Sequence, residues 1–148
     1  MIYGLDCEFN GFGGELISLA LSGGARELYL VRTEAELNAM AAHEWVAEHV
    51  PPFLSLADAR PKVLPLDQFG RAIQAFLMAD KAPVIIADWP EDLMHLMQCL
   101  IIAPGQMVQI PELSLRLLQT SAYPSEITDA VQHNALWDAR ALRHALRG

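Results

Sequence analysis

Three short apolar stretches open the chain, at residues 2–9 (IYGLDCEF), 15–22 (ELISLALS) and 26–32 (RELYLVR). Asn10, Gly11, Phe12, Gly13 and Gly14 separate the first two, and Gly23-Gly24 separates the second from the third. Tight turns between strand-length runs predict an antiparallel meander. Thr33 and Glu36 form a capping-box pattern, which predicts a helix to about His49, stopped by Pro51-Pro52. Residues 51–65 carry four prolines and no clear period, so they are expected to be a loop, either functional or plain surface. A helix is predicted over 66–79. The run 83–87 (PVIIA) reads as a buried strand that feeds a helix from Pro90 to about Ile101. The stretch 93–102 (LMHLMQCLII) is apolar nearly all round, which fits either a buried core helix or a homodimer interface. Residues 103–132 show little pattern, with Val108 to Ile110 as a candidate short strand, and the last 15 residues form a clear helix. The expected fold is α/β in one domain, residues 1–148, with a mixed sheet flanked by helices: three antiparallel strands first, then parallel ones.

Composition supports this reading. The 148 residues are 53% hydrophobic, enough to bury a core without a disulfide or metal staple. No run of 18 uncharged apolar residues occurs, so no membrane contact is expected. The start, MIYGLDCEF, lacks a basic leader and does not read as a signal peptide. Cys7 and Cys99 are too few for a disulfide framework, which suits a reducing cytoplasm. Charge is the unusual feature: 10 basic residues face 18 acidic ones, a net of -8. Taken alone, that argues against broad binding of nucleic acid through a positive surface.

Three segments carry candidate chemistry. On a strand Asp6 and Glu8 project from one face, and two neighbouring carboxylates in an otherwise apolar strand are costly unless a hard divalent cation compensates them. At the junction Ala87-Asp88-Trp89-Pro90-Glu91-Asp92, Asp88 and Glu91 match a capping pattern, while Asp92 suits the positive end of a helix. His133 and Asp138 are five apart and cannot share a helical face. They can converge if His133 lies in a loop and Asn134 caps a helix that carries Asp138 in its second turn.

In this order and on these elements, the segments resemble the three motifs of the DEDDh 3′–5′ exonuclease superfamily, on the ribonuclease H-like fold. Asp6 and Glu8 match the first motif, Asp92 the second, and His133, Ala135 and Asp138 the third. The resemblance spans the chain and comes nearest in style to small stand-alone bacterial exoribonucleases. Asp88 departs from it, because members often carry Asn at that position; a cap, a support or a fifth carboxylate are its open roles. The resemblance implies two divalent ions, Mg²⁺ or Mn²⁺, held by Asp6, Glu8, Asp92 and Asp138, with Asp6 bridging and His133 as general base. It implies release of 5′-mononucleotides from the 3′ ends of single-stranded nucleic acid, RNA favoured. The alternatives are a DNA exonuclease of the same superfamily, or a silent module that binds nucleic acid or a protein.

For substrate contacts, Phe9, Asn10 and Phe12 follow the first motif, and Trp89 and Trp137 flank the other two. Each aromatic can stack on a base or simply pack, and packing is favoured for Trp137. Arg140, Arg143 and Arg147 recur at helical spacing and suit either phosphates or the helix C-terminus. Two bound cations would bring about four positive charges, reducing the net from -8 to roughly -4. A short grip on a 3′ end fits that balance better than tracking along a strand.

Overall fold

The computed structural model describes residues 1–40, 47, 54, 60–119 and 133–147. Its centre is a six-stranded mixed sheet built from β1 (Ile2–Phe9), β2 (Leu16–Ser22), β3 (Glu27–Arg32), β4 (Lys62–Leu64), β5 (Val84–Ala87) and β8 (Ser114–Leu117), in the order β4-β3-β2-β1-β5-β8. The first three strands are antiparallel neighbours, as the tight turns predict. β4 runs parallel to β3, β5 to β1, and β8 to β5. A separate hairpin joins β6 (Ile101–Ala103) and β7 (Gln106–Met107). The helices whose bounds fall among the described residues are α1 (Glu34–Ala39), α2 (Phe69–Leu77), entered through a 3-10 turn at Leu66–Gln68, α3 (Pro90–Leu100) and α4 (Ala135–Ala145).

The sheet separates two cores. Tyr3, Leu5 and Cys7 of β1 and Leu19 and Leu21 of β2 belong to one, with Phe69, Ile73 and Leu77 of α2 and Leu96 and Leu100 of α3. Ile17, Ala20, Tyr29 and Val31 belong to the other, with Ala135, Leu136, Trp137 and Ala139 of α4. All seven residues of β2 are buried, Ser18 and Ser22 included, as suits a central strand covered on both faces. Gly4 lies on the α4 side, where a Cβ would come within 2.5 Å of the Ala139 carbonyl oxygen. Only glycine lets α4 approach β1 this closely.

Several expectations change. β4 falls inside the stretch read as a loop, because Lys62–Leu64 finds β3 as a parallel partner. The helix expected to reach His49 ends at Ala39, where Met40 turns extended and is buried in the second core; residues 41–46 and 48–50 lie outside the described residues. Half of the capping box forms: Thr33 accepts from the Glu36 N–H, while the Glu36 carboxylate accepts from Arg32 and the Leu66 N–H. The stretch 93–102 is neither wholly helical nor wholly buried. Leu96 and Leu100 are buried, Met94 and Met97 are exposed, and Ile101 starts β6. Val108 follows β7 and lies outside any strand, although its N–H donates to the Leu100 carbonyl. No helix among the described residues is long and apolar enough to cross a membrane. Both cysteines are free.

Candidate metal centre

β1 is hydrogen-bonded to β5 only along Ile2–Gly4. Its second half therefore lies beside the point where β5 ends and α3 begins. Asp6 and Glu8 stand there on the α4 face, in the same alternation as Gly4. Pro90 opens α3, and the preceding residue, Trp89, is extended as a residue before proline tends to be. Asp92 then falls in the first turn, where the Cys7 N–H donates to its carboxylate. From the other side, α4 brings Asp138, in its own first turn rather than the expected second.

His133 occupies the turn before α4 with φ of 58°, in the left-handed region, and its N–H donates to the Asp138 carboxylate. Asn134 is the N-cap, its Oδ1 accepting from the N–H groups of Leu136 and Trp137. That is the loop-and-cap arrangement through which the sequence lets His133 and Asp138 converge.

The carboxylates fall into two overlapping triads. Oxygen atoms of Asp6, Glu8 and Asp138 lie within 4.8 Å of one another, and so do those of Asp6, Asp88 and Asp92. Asp6 belongs to both. The structure thus unites all four carboxylates expected from the sequence and adds Asp88. The N-cap position of α3 belongs to Trp89, and Asp88 stands one residue ahead of it. The proline turn places Asp88 ahead of the helix, with its carboxylate beside Asp6 and Asp92. Its spacing of four from Asp92 was the available signal, and the capping pattern obscured it.

Electrostatics set the cost of this arrangement. Burial, then the charges of Asp138, Asp92, Glu8 and Asp88, holds the Asp6 carboxyl well above the usual carboxylate range. Burial and Asp138 do the same to Glu8, which shares a hydrogen bond with Asp138. Asp92 is pushed up to about 8, chiefly by burial and Asp88. Asp138 is pushed up to about 7, again chiefly by burial. Oδ2 of Asp6 is buried without a hydrogen-bond partner. An unpaired buried oxygen on a carboxylate that belongs to two all-oxygen triads fits hard divalent cations, which take such ligands and offset the repulsion.

The remaining expected contacts divide by exposure. Phe12 is 97% exposed at the tip of the β1–β2 turn, and Trp89 is 55% exposed at the start of α3. Phe9 is half-buried against the first core, its ring centroid 5.0 Å from that of His95. The Asn10 N–H donates to the Glu15 carbonyl and closes the turn. Trp137 packs in the second core, as favoured. Arg140 is not available to phosphates: its guanidinium makes two hydrogen bonds to the Glu27 carboxylate and lies over the Trp137 ring. Beside α3 lies a cavity of about 790 Å³ lined by Gly13, Leu16, Leu66, Met94 and His95 among others. Burial keeps the His95 imidazole below its ordinary range, and its Nε2 is buried without a partner. Nothing in the sequence singled out His95 beyond its place three residues after Asp92. Comparison with the models of known protein families and with curated proteins returns no match.

Proposed function

We propose that this protein is a metal-dependent 3′–5′ exonuclease of the ribonuclease H-like type, acting on single-stranded nucleic acid with RNA favoured and releasing 5′-mononucleotides. The observation that carries the reading is the pair of partly buried carboxylate triads sharing Asp6, on a mixed sheet whose order and directions suit that fold. Asp6, Glu8 and Asp138 would hold one Mg²⁺ or Mn²⁺, and Asp6, Asp88 and Asp92 a second. Paired cations of this kind stabilise the attacking and leaving oxygens of an in-line phosphoryl displacement.

The chain's own residues supply the rest. His133 takes the proton of the attacking water through an imidazole nitrogen, a role suited to a side chain that titrates near neutrality. The left-handed backbone at His133 and its N–H bond to Asp138 hold that residue beside the carboxylates. The exposed rings of Phe12 and Trp89 offer stacking surfaces for unpaired bases. The cavity lined by His95, whose ring meets that of Phe9, offers room for a terminal base.

The test uses 5′-labelled RNA and DNA oligonucleotides of one sequence, incubated with Mg²⁺, Mn²⁺ or EDTA. A ladder shortened one nucleotide at a time from the 3′ end, on RNA more than DNA and absent in EDTA, is the expected result. Cleavage of DNA alone would transfer the reading to a DNA exonuclease, and intact substrate under every metal would overturn it.

A further inference from the structure

The second core holds a polar arrangement that the proposed chemistry does not use. In the strand registers Asp6 lies opposite Ala20, and Ala20 lies opposite Tyr29. Cross-strand partners share a face, so Tyr29 stands two strands from Asp6 on the side covered by α4. The Tyr29 hydroxyl donates to the Leu54 carbonyl at 2.6 Å and accepts from Asn134 Nδ2 at 3.4 Å. Asn134 Nδ2 also donates to the Leu54 carbonyl at 3.4 Å, closing a buried triangle.

Asn134 is completely buried, and both ends of its amide are engaged. Oδ1 caps α4 through the Leu136 and Trp137 N–H groups, and the Asn134 carbonyl accepts from the Asp138 N–H at 2.9 Å. Capping alone requires only an oxygen, which Ser, Thr or Asp provides equally well. The amide nitrogen is what faces the two oxygen atoms of the triangle, and among capping side chains only Asn carries it. The triangle therefore specifies Asn134 beyond the needs of the helix. It ties down the turn from which His133 and Asp138 reach the carboxylates. It also gives Leu54, in the Pro-rich stretch, a place beneath that turn.

We infer that Tyr29 and Asn134 are positioning residues for the metal centre: with the Leu54 carbonyl they fix the first turn of α4 and thereby hold Asp138 against Asp6 and Glu8. This rests on the metal-dependent reading above. Ligand geometry depends on such outer contacts, whose loss typically costs 10–100-fold in metal affinity.

The test is calorimetric titration of Mn²⁺ alone into wild type, Tyr29→Phe and Asn134→Ser, with each unfolding temperature measured in EDTA. Tyr29→Phe keeps the ring and removes one hydroxyl; Asn134→Ser keeps a capping oxygen and removes the amide nitrogen. Both are expected to bind Mn²⁺ at least about tenfold more weakly, with Tyr29→Phe unfolding within a few degrees of wild type. Wild-type affinity in both variants would overturn the inference, whatever their unfolding temperatures, because a merely structural triangle lowers stability and leaves affinity alone. Wild type that takes up no Mn²⁺ would overturn the metal-dependent reading itself, and this inference with it.

Discussion

Gly4→Ala is the sharpest probe of how the centre is assembled. Gly4, Asp6 and Glu8 share the face of β1 beneath α4. An added Cβ would lie 2.5 Å from the Ala139 carbonyl oxygen and 3.3 Å from the Arg143 nitrogen, whereas ordinary contact starts at 3.4 Å. Both neighbours are backbone, so no side-chain rotation relieves the clash, and α4 must withdraw by about 1 Å. Over-packing of this kind costs about 1–3 kcal/mol, or roughly 2–12 °C in unfolding temperature at this chain length. Asp138 adjoins Ala139 and retreats with the helix, opening the triad whose oxygens now lie within 4.8 Å. A misplacement of that size is expected to weaken Mn²⁺ binding at least about tenfold. Urea unfolding in EDTA and Mn²⁺ calorimetry measure the two effects separately. Unchanged stability together with unchanged affinity would refute the argument, since it would mean that α4 does not press on β1 at Gly4.

The raised carboxyl groups make a prediction about pH. Asp92 at about 8 and Asp138 at about 7 bind protons more readily in the folded than in the unfolded chain, so stability in EDTA should fall as pH rises from about 4 to about 8. Added Mg²⁺ should recover the loss at pH 8; an unfolding temperature in EDTA that climbs over that range would refute the sign. Asp6→Asn removes the most crowded buried charge. It should therefore raise the unfolding temperature in EDTA at pH 8 by a few degrees while abolishing the stabilisation by Mg²⁺. Retained Mg²⁺ stabilisation would show that Asp6 does not hold the cations. His133→Ala should slow hydrolysis by about 10²–10⁴ with Mn²⁺ affinity kept, and full activity at every pH would remove His133 from the role of base.

Local pattern made a good deal of this molecule readable. The period of two in β1 already set Asp6 and Glu8 on one face, because side-chain alternation is a property of the extended backbone itself. The pair of glycines at 23–24 announced a hairpin, and the structure closes it with the Gly23 N–H on the Arg26 carbonyl. Asn134 read as a cap and is one. Where the sequence misled, a distant partner decided. Lys62–Leu64 is a strand only because β3 offers it an edge. Arg140 left the basic stripe because Glu27, far away in sequence, lies within reach of its guanidinium.

The sequence by itself determined which residues could carry the chemistry: carboxylates placed at the start, middle and end of the chain, on elements whose local signals were strong. Tertiary structure alone decided which of them meet. Asp88 joins Asp6 and Asp92 because β5 stops beside β1 and the proline turn carries it inward. Asp138 reaches Glu8 because Gly4 lets α4 approach and the Tyr29–Asn134–Leu54 triangle holds its first turn. Alternation, caps and turns arise among neighbours in the chain and are therefore written locally. Distances between carboxylates on three separate elements depend on how those elements pack, which no local signal contains.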